Sequence, residues 1–306
     1  MRWRMGRQSQ NVEDRRGAGG LGGGGFGGGL GGGMPRMPMG GRRAGGIGGF
    51  GLIVIIVLAL IFGFDPSMLL QGNMGGTPAY VPSDNATTQG RSEDELKQFS
   101  SAVLATTEDV WNGIFQKAGQ QYQEPTLVLF TGAVQSACGV AQSAVGPFYC
   151  PGDNQLYIDL DFLQQLTRQL NAPGDFAQAY VIAHEVGHHV QNQLGVMQKT
   201  DALRQQMSET EANALSVRVE LQADCFAGVW AHFLNSDTQM IEPGDIDEAI
   251  NAAGAVGDDA IQQQSQGYVR PDSFTHGTSQ QRKEWFNKGF TSGDPAACDT
   301  FNSAAL

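Results

Sequence analysis

An uncharged stretch at residues 44–64 divides this chain of 306 residues into two parts of opposite charge. The first 50 residues carry eight arginines against two acidic residues, whereas the remainder carries eleven basic and twenty-nine acidic residues. An α-helix needs about 20 mainly apolar residues to cross a bilayer. The stretch therefore predicts one transmembrane helix, and its arginine-rich side is expected to be cytoplasmic because such residues accumulate on that side of a membrane.

This anchor would place the acidic remainder of the chain outside the cytoplasm. Two other interpretations of the stretch are a buried core helix and a cleaved signal sequence. The glycine-rich and polar flanks offer nothing that could cover a core helix, and the residues after the apolar run fit a signal-peptidase site poorly. The sequence therefore favours an uncleaved anchor.

The segments on either side of the anchor have the composition of unfolded chain. Residues 1–43 are rich in glycine and arginine and cannot bury enough apolar surface to offset the entropy of ordering. We predict a disordered cytoplasmic tail whose arginines meet anionic lipid head groups. An RNA-binding arm is the alternative, but we expect no nucleic-acid partner. Residues 65–91 contain proline, glycine, serine and asparagine throughout and predict a linker.

Residues 92–306 have the length of one domain with a sizeable core. Apolar periodicity predicts, in chain order, a helix at 92–119, a strand at 125–132, two strands around a turn within 148–163, and long helices at about 175–193 and 209–234. Further helical patterns follow to near the C-terminus. This order predicts an α+β domain that is mostly helical and has a small β-sheet.

Four cysteines all lie in this domain, and an even number outside the cytoplasm predicts disulfides. Cys138 and Cys150 flank a turn-rich segment and could close a short loop, which would leave Cys225 and Cys298 as the second pair. Four cysteines allow three pairings, and four buried thiols are a further alternative. The spacing alone therefore leaves the pairing open.

The sequence HEVGH at residues 184–188 lies within a predicted helix. Residues four apart lie on one helix face, so His184 and His188 can direct two imidazoles at one metal ion. Glu185 projects beside them, where a carboxylate can act as general base for a zinc-activated water. His189 faces about 100° away from His188. We expect it to support the site or to lie at the surface rather than to bind metal.

A catalytic zinc site with two histidines needs a third protein ligand and an open position. Glu220 and Asp224 lie four residues apart on the second long helix and share one face. A solvated pair of acids is the alternative, but the neighbouring residues are too apolar for a freely solvated helix. We assign Glu220 as the third ligand and Asp224 as the acceptor that orients a ligand imidazole.

His276 lies in a loop of threonine, glycine and serine before the last predicted helix. An imidazole there could donate a hydrogen bond to the oxyanion of a tetrahedral intermediate, although simple solvation is the alternative for a single loop histidine. Arg282, six residues later, could steady the loop or pair with Asp224. His232 lies twelve residues after Glu220 and is assigned a structural role.

Six blocks of sequence together resemble the bacterial family of neutral zinc metallopeptidases over nearly the whole chain. In chain order they are RWRMGRQSQNVEDRRG, the glycine-rich stretch with the anchor, GPFYCPGDNQLYIDLDF, AYVIAHEVGHHVQ, VELQADCFAGVWA and DSFTHGTSQQR. The resemblance implies a zincin-like fold of the glutamate-zincin type. It also implies one Zn²⁺ per chain on His184, His188 and Glu220, with Glu185 as base. The last two blocks are similar to those of heat-shock and CAAX-prenyl membrane metallopeptidases, which implies that His276 assists the transition state.

Together these features predict a membrane-anchored zinc endopeptidase of the bacterial inner membrane that acts on peptide or protein substrates outside the cytoplasm. One alternative is a non-catalytic zinc-containing module that binds envelope proteins, and another is a zinc hydrolase of a different bond, such as a cell-wall amide. A structural zinc site is normally closed by four protein ligands, which disfavours the module. The strand near residues 156–160, if it lies at a sheet edge, is expected to hold an extended peptide by strand addition.

Overall fold

The computed structural model describes residues 1–17, 86–142, 146–163 and 174–303. These residues contain strands β1 (Val12–Asp14), β2 (Thr126–Phe130), β3 (Ala133–Ser136), β4 (Gly139–Gln142), β5 (Phe148–Cys150) and β6 (Gln155–Asp159). Four of the strands form one sheet in the order β1–β2–β6–β5, and β3 pairs with β4 in a separate hairpin. β1, β2 and β6 are parallel, whereas β5 is antiparallel to β6.

The strand order corrects one expectation about substrate binding. β6 covers most of the stretch at residues 156–160 and lies between β2 and β5. β6 is paired with β2 along its whole length and with β5 from Gln155 to Tyr157, so it is not an edge strand. Strand addition at this stretch, which depended on its being an edge strand, is therefore not supported.

The helices of the described residues are α1 (Ala86–Lys117), α2 (Asp175–Gln193), α3 (Val196–Arg204), α4 (Glu209–Asp237), α5 (Asp245–Ala255), α6 (Asp258–Gln266) and α7 (Ser279–Ser292). α4 lies at the centre of the helical part, where it contacts α1, α2 and α7. Capping boxes begin α4 at Ser208 and α7 at Thr278, each satisfying backbone N–H groups that a helix start leaves free. The α+β class and the predominance of helix are as the sequence predicted.

α2 is packed inside the core, so its polar side chains lie in a buried environment. Phe176 is fully buried and stacks on Trp230 of α4, with ring centroids 5.4 Å apart. From Phe176 to Gln191 only Val181 is not buried. A polar side chain buried in this way needs a hydrogen-bond partner or a ligand, because an unpaired buried group is costly. The helix that carries the HEVGH motif is thus a core helix with polar residues.

A pair of glycines brings α4 and α7 close together. A side chain at Gly228 would overlap the backbone of Phe286, and one at Gly289 would overlap the backbone of Cys225. The backbones of the two helices therefore touch at this crossing. The close contact allows Arg282, at the start of α7, to reach the interior of the domain.

Residues 1–16 belong to the folded domain. Val12 pairs opposite Leu127 in the parallel β1–β2 ladder, and Trp3 packs edge-on against Phe99 of α1 at 5.7 Å. The prediction of a disordered tail from residue 1 is therefore wrong for these residues, and residues 18–43 lie outside the described residues. The composition of the whole tail concealed the start, because almost all of its glycine follows residue 16.

The membrane anchor and the localisation derived from it are corrected as well. Among the residues that the structure describes, no helix is both long enough and apolar enough to cross a bilayer. The predicted single-pass anchor and inner-membrane localisation are therefore not supported. β1 shares a sheet with β2, so the N-terminus and the domain cannot lie on opposite sides of a membrane. Residues 44–64 themselves lie outside the described residues, and α1 begins at Ala86, inside the stretch predicted as linker.

Two disulfides are present, as the even number of cysteines predicted. Cys138 pairs with Cys150 and joins the β3–β4 hairpin to β5, whereas Cys225 pairs with Cys298 and joins α4 to the C-terminal segment. The structure thus selects one of the three pairings that the spacing allowed.

Candidate metal centre

Three buried side chains converge between α2 and α4. The Nε2 atom of His184 lies 3.2 Å from Oε2 of Glu220, and Nε2 of His188 lies 3.5 Å from Oε1 of the same carboxylate. The ligand atoms of all three residues lie within 4.8 Å of one another. Bonds of about 2.0–2.1 Å to a tetrahedral zinc ion would separate two ligand atoms by roughly 3.3 Å. The three side chains therefore fit a zinc ion in both chemistry and spacing.

Gly187 allows the two helices to come close enough for His184, His188 and Glu220 to converge. A Cβ atom at this position would lie 2.9 Å from the backbone oxygen of Ala223 and 3.1 Å from its Cα. Any side chain at Gly187 would therefore push α4 away from α2. Because Glu220 sits one turn before Ala223, such a shift would also move the third ligand atom away from the histidines.

We expect Gly187→Ala to weaken zinc binding and to lower the free energy of unfolding by about 1–3 kcal/mol, as overpacking does in other cores. Titration with a zinc-chelating dye and urea unfolding would measure the two effects. Gly113→Ala is the matched control, because this glycine lies inside α1 with nothing within 4 Å of its added Cβ. The control should keep zinc affinity and gain roughly 0.5–1 kcal/mol of stability. Equal zinc affinity in Gly187→Ala and wild type would contradict the expectation.

The ring of His184 is oriented by a buried ionic network. Its Nδ1 atom lies 2.8 Å from Oδ1 of Asp224, a side chain with no exposed surface. Arg282 donates two hydrogen bonds to the same carboxylate, at 2.8 and 2.9 Å, and Tyr180 donates a third. Burial alone would raise the pKa of Asp224, but the charges of Arg282 and His184 outweigh it and lower that pKa to about 2. Asp224 therefore stays ionised as an acceptor, and of the two roles considered for Arg282 the pairing with Asp224 is present.

The ring of His188 has a neutral partner that the sequence interpretation missed. Its Nδ1 atom lies 2.9 Å from Oε1 of Gln191, one helical turn later on α2. The amide nitrogen of Gln191 donates to Val219 O and to Gln222 Oε1, and Gln222 donates to the carbonyl of Cys298. The ligand is thus linked to the disulfide-tethered C-terminal segment. The only signal for this contact in the sequence was the position of Gln191 three residues after His188. That spacing did not distinguish a side chain that contacts the ring from one that is exposed to solvent.

Glu185 is buried beside the three ligand residues. Within the described part of the chain, its carboxylate makes no hydrogen bond and no ion pair. Its oxygens are not among the fully buried atoms without a partner, so water or a substrate can reach them. Glu185 is therefore available to chemistry at this site, whereas Glu220 is held by the two histidines.

His276 is held near the centre by the start of α6. Its Nδ1 atom lies 3.2 Å from Oδ1 of Asp258, and the charge of Glu220 is one of the causes that raise its pKa. Burial opposes this shift as the largest single effect, but Asp258 and Glu220 together outweigh it. The structure therefore brings His276 towards the three ligand residues, with its ring 18% exposed.

The two remaining histidines lie apart from the ligand atoms. His189 is buried and contacts the carbonyl of Gln123 at 2.6 Å and the Tyr149 hydroxyl at 3.1 Å. Burial lowers its pKa to about 4, so the ring is neutral and ties α2 to β5. It is therefore not a surface residue. His232 contacts the carbonyl of Phe290 at 2.8 Å, a contact between α4 and α7 that agrees with its structural assignment.

Comparison with known proteins identifies the family. The chain is 50% identical to "Uncharacterized protein YpfJ" of Escherichia coli over 99% of this chain and 100% of that protein. It is 41% identical to "Uncharacterized protein Rv2575" of Mycobacterium tuberculosis over 81% of this chain and 86% of that protein. No solved structure gives a significant match. The family model described as "Putative neutral zinc metallopeptidase" matches residues 1–301, and the chain therefore belongs to that family.

Proposed function

We propose that this protein is a zinc-dependent endopeptidase with its active site at the three-residue centre between α2 and α4. The observation that carries the proposal is a ligand set of three, His184, His188 and Glu220, next to the unpaired carboxylate of Glu185. Structural zinc sites are closed by four protein ligands, whereas catalytic sites keep one position open. Among the described residues, no fourth ligand joins the three.

Each side chain around the centre has a separate role in peptide hydrolysis. Bound zinc would supply a Lewis acid that polarises the peptide carbonyl and acidifies water. Glu185, next to a ligand residue on α2, accepts the proton of the attacking water and returns it to the leaving amine. Asp224 and Gln191 keep the two imidazoles in fixed orientations. His276 donates a hydrogen bond to the oxyanion that develops on the carbonyl oxygen.

β5 offers the sheet edge at which an extended substrate can bind. It is the outer strand on its side of the sheet and contacts α2, where the Tyr149 hydroxyl lies within hydrogen-bond distance of both His189 and Asn192. An edge strand presents unpaired backbone groups that can take up another strand. A peptide paired with β5 would run beside the helix that carries Glu185.

The proposal is tested by zinc content and cleavage of an unfolded protein by the full-length chain. We expect one zinc ion per chain, internal cleavage identified by mass spectrometry, loss of cleavage with a chelator and recovery with added zinc. Full-length protein is needed because β1 belongs to the sheet. Bound zinc without any cleavage of unfolded protein would contradict the proposal and favour a non-catalytic zinc-containing module.

We expect Glu220→Gln to lose zinc while keeping its fold. The substitution preserves size but removes the anionic oxygen between the two imidazoles. Zinc affinity should fall by more than the roughly 10- to 100-fold that follows loss of a residue supporting a ligand. Glu209→Gln, an exposed position at the start of the same helix, should bind zinc as wild type does. Equal zinc affinities in the two variants would exclude Glu220 as a ligand.

A further inference from the structure

The loop that carries His276 is held by a single buried carboxylate. Oδ2 of Asp258 accepts hydrogen bonds from three consecutive backbone N–H groups, those of Thr275, His276 and Gly277, at 2.8, 2.6 and 3.0 Å. The N–H of Asp258 in turn donates to the carbonyl of Gly277 at 2.9 Å. Asp258 is 2% exposed, so it has almost no access to solvent. One oxygen of this residue therefore fixes the backbone of the whole loop.

The second carboxylate oxygen of Asp258 contacts the imidazole ring of His276. Oδ1 lies 3.2 Å from Nδ1 of His276, and the Thr275 hydroxyl lies 3.1 Å from the same nitrogen. An ionised carboxylate only accepts hydrogen bonds, so Nδ1 must carry a proton. The opposite ring nitrogen, Nε2, has no hydrogen-bond partner among the described residues. It is therefore the nitrogen that can meet a substrate.

We infer that Asp258 is a positioning residue for His276, which keeps the proton of the neutral ring on Nδ1 and leaves Nε2 free to meet a substrate. This inference rests on the proposed peptidase function, in which His276 touches the substrate and Asp258 acts only through it. With Nδ1 occupied in this way, Nε2 carries a proton only when the ring is an imidazolium. The oxyanion would then receive a charge-assisted hydrogen bond, which is stronger than one from a neutral ring.

In the zinc-free protein, the charges around the ring favour the imidazolium. Asp258 at the start of α6 and Glu220 on α4 raise the pKa of His276, whereas burial and the guanidinium of Arg282 on α7 lower it. The net shift is upward from the ordinary value. Because Asp258 is the partner in direct contact with the ring, removing its charge should reverse most of this shift.

The variant Asp258→Asn tests the inference, because asparagine has the shape of aspartate but carries no charge. The three backbone N–H groups require an acceptor, so the amide oxygen should take the place of Oδ2 and the NH₂ group the place of Oδ1. The NH₂ group would then donate to Nδ1 and force the neutral ring into the Nε2–H tautomer. Asp259→Asn is the matched control, because Asp259 holds the N–H and hydroxyl of Ser279 at the start of α7 and has no contact with His276.

The first measurement is ¹⁵N NMR of the imidazoles in full-length, zinc-free protein, with His276→Gln to assign the resonance. Wild type and Asp259→Asn should show neutral His276 as the Nδ1–H tautomer. Asp258→Asn should show the Nε2–H tautomer and a His276 pKa below that of wild type. A neutral wild-type ring protonated on Nε2 would overturn the inference, even if Asp258→Asn did not fold. An unchanged tautomer and pKa in folded Asp258→Asn would overturn it as well.

The second measurement is kcat/KM of the zinc-loaded protein in a double-mutant cycle. His276→Gln should lower kcat/KM by about 10²- to 10³-fold, as loss of an oxyanion donor does. Adding Asp258→Asn to His276→Gln should cost nothing further, because both changes remove one interaction. Additive losses would show that Asp258 acts on its own and would overturn the inference. The NMR result needs no peptidase activity, so failure of the proposed function and failure of the positioning role are distinguishable.

Discussion

Glu185→Gln protein is expected to bind one zinc ion per chain and to lose nearly all peptidase activity. Glutamine has the shape of glutamate but cannot accept a proton, and among the described residues the Glu185 carboxylate makes no hydrogen bond or ion pair with the three ligand residues that the substitution would disturb. General acid–base catalysis typically contributes 10²- to 10⁴-fold to a rate, so kcat should fall by about that factor. KM should change little, because the base acts on water and not on the bound peptide.

The measurement compares kcat and metal content of wild type, Glu185→Gln and Glu209→Gln on one unfolded protein substrate. Glu209→Gln is a control for the same chemical change at an exposed site and should keep full activity. Zinc loss in Glu185→Gln would show that the residue holds metal. Undiminished cleavage with zinc retained would remove Glu185 as the base and require another group to take the proton.

Arg282→Met is expected to be the most destabilising single change near the site. Arg282 is 4% exposed, and it donates to both oxygens of Asp224, to the Tyr180 hydroxyl at 3.1 Å and to Val256 O at 3.2 Å. Removing one partner of a buried ion pair leaves the other charge without compensation, which costs about 3–5 kcal/mol. We expect a loss of that size in the free energy of unfolding, measured by urea denaturation of the zinc-free protein.

The matched control for this change is Arg4→Met. Arg4 pairs with Glu95 at the surface, where both side chains are more than half exposed and an ion pair contributes at most about 1 kcal/mol. A loss in Arg282→Met no larger than in Arg4→Met would contradict the expectation. The double variant Arg282→Met with Asp224→Leu should recover much of the stability, because neither charge of this ion pair remains buried. It should bind zinc more weakly than wild type, since Asp224→Leu removes the acceptor of the His184 ring.

Local patterns in the sequence determined the elements that carry the site. The pair His184 and His188 and the pair Glu220 and Asp224 were placed on helix faces from their spacing alone, and α2 and α4 are helices in the structure. This works because a helix puts residues four apart on one face whatever surrounds it. The α+β class followed from the same periodicities. The ligand chemistry followed from residue type, because histidine and carboxylate side chains are ligands that zinc prefers.

Composition failed to predict the structure of residues 1–16. Residues 1–16 share a tail with a long glycine-rich stretch, yet Trp3 packs on α1 and Val12 pairs with β2. Average composition cannot show that a short segment finds a partner more than a hundred residues away. The predicted topology across a membrane depended on residues 44–64 and on the arginines before them, and the shared sheet contradicts it.

Only the tertiary structure decided which partners complete the site. Asp258 lies 18 residues from the ring it contacts, Asp224 lies 40 residues from His184, and Gln222 lies 76 residues from the carbonyl it binds. Helical periodicity relates residues within a few turns of one helix, so it carries no information about contacts of this separation. The sequence by itself determined the helices and the ligand types. The approach of α2 to α4 at Gly187, the disulfide pairing and the choice of Gln191 and Asp258 as supports were decided by packing.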